Sequence, residues 1–179
     1  MRILPENTTA IVIDYQERIL AAMAEKEALL DKSLLLMKGL RVLDIPMILT
    51  TQYAKGLGLN LPEVTEAIGS EEYIDKGTFS IYANDEARAA LGGDRKNVIV
   101  CGIEAHICVL QTIIDLKEAG YQPIIVEDCV SSRSLEDKKY ALVRAQQEGA
   151  IVTTAEAILY ELLQKSGTDT FKQISKLVK

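Results

Sequence analysis

Short, fully apolar runs alternate with longer segments of helical periodicity along most of this chain, and this alternation constrains the fold more than any other feature. The runs are rich in Val and Ile, which favour buried strands. Strands separated by helices run parallel, with right-handed crossovers that place helices on both faces of the sheet. We therefore predict a three-layer α/β/α fold with a doubly wound, Rossmann-like parallel sheet, whose strands cover residues 9–14, 47–51, 98–101, 123–127 and 150–153.

The segments between these runs carry helix start and stop signals. Asn84 or Asp85 can cap a short helix that Gly92 and Gly93 end. Further helices are predicted over residues 106–119, 134–148, 155–165 and 170–179, and segment 52–61, with its glycines, is predicted to be a loop. After the first strand, apolar side chains recur near the helical spacing of about 3.6 residues, at Leu29, Leu30, Leu34, Met37, Leu40 and Val42.

Length and composition favour a single soluble domain over residues 1–179. The net charge of −6, without a basic stripe, argues against nucleic acid as a partner. No apolar stretch approaches the roughly 20 residues of a membrane span, and no apolar export signal precedes the first strand. The three cysteines lack the spacing of a disulfide framework, which indicates a reducing compartment. We therefore expect a cytoplasmic protein that binds neither membranes nor nucleic acid.

Three chemically reactive side chains follow apolar segments. Cys108 falls in the first turn of a predicted helix, where the helix N-terminus favours a thiolate. Asp14 ends the first strand, and Lys76 lies in a predicted turn before Gly77. Because open α/β sheets bind ligands outside the carboxyl ends of their strands, we expect these side chains to meet there. Together they favour a cysteine hydrolase.

The positions of the remaining cysteines and of the single histidine argue against a Cys–His dyad and against a zinc site. Cys101 lies inside a predicted strand, and Cys129 follows one, so packing is the more frequent role for both. His106 is only two residues from Cys108 and faces another direction on a helix, which excludes a Cys–His dyad. One histidine without a Cys-x-x-Cys pair leaves too few ligands for zinc. The chain also lacks a Gly-rich phosphate loop and a Gly-x-Ser-x-Gly motif.

Four ordered segments resemble the isochorismatase-like hydrolase family, also called the cysteine hydrolase superfamily. They are residues 13–16 (IDYQ), 51–58 (TQYAKGLG), 75–80 (DKGTFS) and 102–109 (GIEAHICV), of which the last is the most specific. The similarity spans nearly the whole chain and is greatest to isochorismatase-domain proteins of undefined substrate. The resemblance implies a parallel sheet with helices on both faces and assembly into dimers or larger homo-oligomers.

The resemblance also implies roles for individual residues. Asp14 would be the general base, and Lys76 would hold both Asp14 and the thiolate and lower the pKa of Cys108. Cys108 would attack a carbonyl carbon and form a thioester. The Ile103–Glu104 peptide would be cis and would turn the Glu104 N–H towards that of Cys108, forming an oxyanion hole. On this basis Cys108 should react as a thiolate well below the pKa of about 8.5 of a free cysteine.

Departures from the family pattern narrow the expected chemistry. Nicotinamidases of the family carry an Asp/His metal site after the second strand, but segment 52–55 has no histidine, so we expect no metal and no cofactor. Isochorismatases proper cleave a vinyl ether and some lack the cysteine, so Cys108 favours hydrolysis of a small amide or related acyl C–N bond. Vinyl-ether hydrolysis, small-molecule binding without catalysis and redox sensing remain alternatives.

Side chains near the motifs are candidates for binding a small-molecule substrate. Gln16 could donate a hydrogen bond to a substrate amide, although a capping role is equally consistent with its position. The aromatic candidates for the walls of the pocket are Tyr15, Tyr53, Phe79 and Tyr82.

Overall fold

Six parallel strands form one sheet in the computed structural model, which describes residues 1–179. The strands are β1 (Thr8–Ile13), β2 (Met47–Gln52), β3 (Ile74–Lys76), β4 (Asn97–Ile103), β5 (Gln122–Ser131) and β6 (Ile151–Thr153). They lie side by side in the order β3-β2-β1-β4-β5-β6, and every neighbouring pair is parallel. The predicted fold class is confirmed, and all five predicted strands are present.

One strand of the sheet, β3, was not predicted from the sequence, which indicates a turn at this segment. Its three residues pair with Thr50, Thr51 and Gln52 of β2. Two of the three residues are charged, so the segment lacks the apolar run by which the other strands are recognised. The pairing with β2 places Lys76 at the carboxyl edge of the sheet.

Nine helices surround the sheet, and none is long and apolar enough to cross a membrane. Asn84 accepts a hydrogen bond from a backbone N–H group in the first turn of its helix, as its sequence position predicts, and Ser134 and Thr154 cap their helices in the same way. The helices are α1 (Glu17–Leu20), α2 (Lys26–Val42), α3 (Ala54–Leu57), α4 (Pro62–Ile68), α5 (Asp85–Leu91), α6 (Leu110–Glu118), α7 (Leu135–Gln147), α8 (Ala155–Leu163) and α9 (Asp169–Leu177).

Two predicted segments differ in detail from the structure. The predicted loop over residues 52–61 contains the four-residue helix α3, because Ala54 to Leu57 complete one hydrogen-bonded turn before Gly58. The helix predicted over residues 106–119 begins as a π-helical turn, Ala105–Val109, before it continues as α6. Cys108 therefore lies in this π-helical turn rather than in a regular α-helical first turn.

The sheet is covered on both faces, which explains why its strands are apolar throughout. In β1, Ala10 and Val12 face one apolar cluster, and Ile11 and Ile13 face the other. Helices α2, α4, α8 and α9 contribute to the first cluster, and α5, α6 and α7 contribute to the second. Burial on both faces favours continuous apolar runs over an alternating pattern.

The strand order changes direction at β1, which lies between β2 and β4 in the middle of the sheet. The chain proceeds outward from β1 through β2 to β3 and then returns to the other side for β4, β5 and β6. The helices that follow β1 and β4 cover opposite faces of the sheet, so the connections diverge. A crevice outside the carboxyl ends of such strands is the usual ligand position in an open α/β sheet.

Candidate active site

Asp14, Lys76 and Cys108 come together at the carboxyl edge of the sheet. Asp14 directly follows β1, Lys76 ends β3, and Cys108 lies in the π-helical turn after β4. Asp14 is fully buried, and Lys76 and Cys108 are only 1% and 7% exposed. Three segments that are distant in sequence thus bring a carboxylate, an ammonium and a thiol into one buried cluster at the strand reversal.

Two donors hold the carboxylate of Asp14. Thr50 Oγ1 donates to Oδ1 at 2.8 Å, and Lys76 Nζ donates to Oδ2 at 2.7 Å. Burial raises the pKa of Asp14, and the neighbouring Lys76 ammonium partly opposes that increase. A desolvated carboxylate is a stronger base than a hydrated one, so this side chain is suited to accept a proton from a neighbouring group.

The ammonium of Lys76 connects the members of the cluster. Besides Asp14, Nζ donates to the side-chain oxygen of Gln52 at 2.7 Å and to the carbonyl oxygen of Thr78 at 3.3 Å. It lies 3.7 Å from Cys108 Sγ. A buried ammonium requires such partners, because an unpaired charge in a dry interior is very costly.

The Cys108 thiol is not the low-pKa thiolate that the sequence predicts. Burial raises the pKa of Cys108 to about 11, because desolvation outweighs the attraction of Lys76, and Asp14 adds to the increase. The expectation of a thiolate well below a pKa of about 8.5 is therefore wrong. The sulfur is therefore a thiol at neutral pH, and the Asp14 side chain is within hydrogen-bonding reach of it.

The other two cysteines are packing residues, as their sequence positions predict. Cys101 and Cys129 are fully buried on the opposite face of the sheet from Cys108. Burial raises the pKa of Cys101 to about 12 and that of Cys129 well above its ordinary value. Neither thiol is disulfide-bonded.

The turn between β4 and α6 has the backbone form that the resemblance implies. The Ile103–Glu104 peptide bond is cis, as predicted. The carbonyl oxygen of Glu104 accepts from the N–H groups of Ile107 and Val109 at 3.1 and 3.2 Å. The Glu104 carboxylate accepts from Arg133 Nε at 3.0 Å, so the turn is also attached to the segment that follows β5.

Of the five residues predicted to bind substrate, Tyr53 and Phe79 are exposed near the cluster. Tyr53 directly follows Gln52, and Phe79 follows the Thr78 carbonyl that contacts Lys76; the two side chains are 58% and 52% exposed. The amide of Gln16, in contrast, is fully buried and bonds to the backbone of Gln52 and to the Gly58 carbonyl. These contacts give Gln16 a role in holding the loop after β2.

Tyr15 and Tyr82 pack against other side chains of the protein. Tyr15 is fully buried in the apolar cluster beneath α2, because the chain turns at Asp14, where φ is 55°. The ring of Tyr82 packs edge-on against Tyr121 at a centroid distance of 6.0 Å. Tyr121 precedes β5 at the amino edge of the sheet, so Tyr82 is directed away from the carboxyl edge.

Sequence reasoning missed two polar residues of the site, Thr50 and Gln52. Both lie near the carboxyl end of β2, between the strands that end in Asp14 and Lys76. A polar pair at the end of the otherwise apolar run Met47–Leu49 is the signal that could have identified them. No group of three or more His, Cys, Asp or Glu side chains is arranged to hold a metal ion.

Comparison with known proteins identifies the family. The isochorismatase domain matches residues 8–157. Isochorismatase domain-containing protein 2 of Danio rerio is 36% identical over 178 residues, which cover 99% of this chain and 89% of that protein.

Solved structures with the same fold agree with this assignment. A Caenorhabditis elegans protein described as the MAR1 ribonuclease superposes with a TM-score of 0.93 and 39% identity, covering 99% of this chain and 92% of that one. The ycaC gene product of Escherichia coli, described as an octameric hydrolase of unknown specificity, has a TM-score of 0.91 over 99% of this chain and 89% of its own, but only 23% identity. It therefore supports the fold alone. This chain belongs to the isochorismatase family of hydrolases.

Proposed function

We propose that this protein hydrolyses a small amide or a related acyl C–N bond through a thioester on Cys108, with Asp14 as the general base. The observation that carries the proposal is the buried cluster in which one ammonium contacts both the Asp14 carboxylate, at 2.7 Å, and the Cys108 sulfur, at 3.7 Å. A neutral thiol beside a desolvated carboxylate is matched to proton transfer at the moment of attack.

The reaction proceeds in two half-reactions. Cys108 Sγ bonds to the carbonyl carbon of the substrate while its proton passes to Asp14, and the substrate oxygen becomes an oxyanion. Asp14 then returns the proton to the leaving nitrogen, the C–N bond breaks and a thioester remains. Water attacks the thioester, giving its proton to Asp14, which returns it to the sulfur as the acid is released.

Lys76 and two backbone N–H groups supply the electrostatic part of this mechanism. As the proton moves to Asp14, negative charge moves from the carboxylate to the sulfur and then to the substrate oxygen, and the ammonium lies beside the first two positions. The N–H groups of Glu104 and Cys108 are assigned to the oxyanion. Losing one donor of this type typically costs about 100- to 1000-fold in rate.

Tyr53 and Phe79 are assigned to the substrate pocket, because they are the exposed aromatic side chains next to Gln52 and Thr78. The fully buried amide of Gln16 is not part of this assignment, since both of its ends bond to the backbone. Aromatic walls around a buried polar cluster favour a small, largely uncharged substrate.

A trapping experiment tests the proposed function. A panel of small amides is incubated with the protein and hydroxylamine, and the Cys108 peptide and the hydroxamates are followed by mass spectrometry. We expect an acyl adduct on Cys108 and hydroxamate formation, both abolished in Cys108→Ala and retained in Cys101→Ala. Amide turnover that persists in Cys108→Ala would contradict the thioester mechanism.

Other functions give different results in the same experiment. If a vinyl ether is included beside the amides, its consumption without hydroxamate formation favours ether hydrolysis, and recovery of every compound unchanged favours binding or redox sensing. The 39% identity to the nematode protein described as a ribonuclease makes RNA a further candidate substrate. The net charge of −6 opposes RNA binding, so we expect a labelled oligoribonucleotide to remain intact.

We further propose that the protein is a cytoplasmic homo-oligomer. Leu135, Tyr140 and Val143 of α7 are 49%, 61% and 44% exposed, so this helix leaves large apolar side chains uncovered, as helices at subunit contacts do. Light scattering after size-exclusion chromatography tests this proposal, and a monomer at micromolar concentration would contradict it. Three free cysteines fit a reducing compartment.

A further inference from the structure

We propose that Gln52 is a positioning residue for the site. It is a neutral acceptor that holds the Lys76 ammonium between Asp14 and Cys108 without adding a negative charge. This inference rests on the proposed cysteine mechanism and adds to it a residue outside the Asp14–Lys76–Cys108 cluster.

The first observation is a competition for the protons of Lys76. An ammonium has three N–H donors, and four acceptors surround this one. Asp14 Oδ2 and Gln52 Oε1 both lie at 2.7 Å, the Thr78 carbonyl lies at 3.3 Å, and Cys108 Sγ is the most distant at 3.7 Å. The three oxygen atoms are therefore the closer acceptors, and the sulfur has the longest of the four contacts with the ammonium.

The second observation is that the amide of Gln52 is held in one orientation. Its nitrogen donates to the Gly77 carbonyl at 3.3 Å, which directs its oxygen towards Lys76. The backbone N–H of Gln52 donates to Gln16 Oε1 at 2.7 Å, and its carbonyl accepts from Gln16 Nε2 at 3.1 Å. The buried Gln16 amide therefore fixes the segment from which Gln52 reaches the ammonium.

The charge of the acceptor matters because negative charge moves during the reaction. When the thiol proton passes to Asp14, the charge leaves the carboxylate and develops on the sulfur, so the ammonium must shift its hydrogen bonding towards Sγ. An ammonium makes a charge-assisted hydrogen bond to either acceptor, but a carboxylate adds the Coulomb attraction of a full negative charge, which an amide oxygen lacks. A carboxylate at position 52 would hold the Lys76 ammonium away from Cys108, whereas the amide of Gln52 positions the ammonium and still allows its hydrogen bonding to move towards Sγ.

Two substitutions of similar size separate this role from a purely structural one. Gln52→Glu adds a negative charge, and Gln52→Met removes the acceptor. The pH profile of Cys108 alkylation by iodoacetamide, followed on the Cys108 peptide by mass spectrometry, reports the thiol in each protein. Gln146→Glu, in the exposed part of α7, is the control for the change in charge.

The two variants are expected to shift the profile in opposite directions. In Gln52→Glu the added charge raises the pKa of Cys108 and slows alkylation about tenfold at fixed pH, which corresponds to one pKa unit. In Gln52→Met the released N–H turns to the sulfur, the pKa falls, and alkylation is about tenfold faster. Gln146→Glu should match the unmodified protein.

The inference is overturned if both variants shift the profile in the same direction, or if either folded variant matches Gln146→Glu. Thermal unfolding shows which variants are folded, and each alone is decisive because the sign of its shift is specified. The experiment needs no substrate turnover. A failure of the proposed amide hydrolysis would therefore appear in the trapping experiment and not here.

Discussion

The hydroxyl of Tyr15 shows how one side chain next to a reactive residue can belong to the core instead of the site. It donates to the Cys129 carbonyl at 2.8 Å and shares a 2.7 Å hydrogen bond with Ser33 Oγ. These contacts join the segment after β1 to the helix α2 and to the strand β5. Tyr15 therefore stabilises the packing behind Asp14 and has no surface that a substrate could contact.

Replacing Tyr15 with Phe tests this assignment. The variant keeps the ring but leaves the Cys129 carbonyl and the Ser33 hydroxyl without their partner, so we expect the free energy of unfolding to fall by about 1–3 kcal/mol. Urea unfolding measures the loss. The alkylation rate of Cys108 should not change. A changed rate with unchanged stability would indicate that Tyr15 acts on the site and not on the packing of the core.

At the scale of the elements, the close approach of β4 to β1 depends on one glycine. Gly102 has a φ of 132°, and a Cβ at this position would overlap the carbonyl oxygen of Ile13 on β1. The pairing of β4 with β5 also shifts here, since Val100 is opposite Ile125 but Gly102 is opposite Val130. The end of β4 thus adopts a conformation that only glycine accommodates, immediately before the turn that carries Cys108.

The substitution Gly102→Ala is therefore expected to destabilise the protein by about 3 kcal/mol, since it combines backbone strain with a steric overlap. Gly93→Ala is the matched control, because its new Cβ would have no neighbour within 4 Å and its φ is not in the left-handed region. Urea unfolding should show a change of under about 1 kcal/mol for the control. Equal losses in the two variants would contradict the close approach.

At the scale of the whole molecule, burial links the cysteines to alkaline stability. All three thiols are buried, and burial raises the pKa of each. For Cys101 the pKa rises from 9.0 to about 12. Between these values the unfolded chain loses the thiol proton and the folded protein keeps it, so the folded state binds more protons. Stability is therefore full below pH 9 and decreases as the pH rises towards 12.

Urea unfolding at pH 8, 9 and 10 measures this dependence. Each buried thiol should lower the free energy of unfolding by about 1 kcal/mol for each pH unit above 9. Cys101→Ala removes one of these groups and should have a shallower loss by about that amount, although its stability at pH 8 is lower because of the cavity. Equal slopes for the two proteins would contradict the raised pKa of Cys101.

The sequence alone determined those features of the protein that depend on residues close together in the chain. Strands such as β1 and β4 are buried on both faces, so they are recognisable in the sequence as continuous apolar runs. Asp14 and the turn that carries Cys108 follow the carboxyl ends of these two strands. The resemblance of the segment around Cys108 to the family motif predicted the cis peptide at Ile103–Glu104, which the structure contains. Helix caps such as Asn84 were also recognisable, because a cap acts within one turn.

Only the tertiary structure decided the features that depend on neighbours distant in sequence. The strand β3 exists through its pairing with β2, and Lys76 is placed by that pairing. Gln52 becomes part of the site because its strand lies between those of Asp14 and Lys76. The pKa of Cys108 is raised because burial removes water from the thiol and the Asp14 carboxylate lies beside it, which outweighs the attraction of Lys76. Desolvation and the proximity of residues distant in sequence are properties of a three-dimensional arrangement, and no local pattern encodes them.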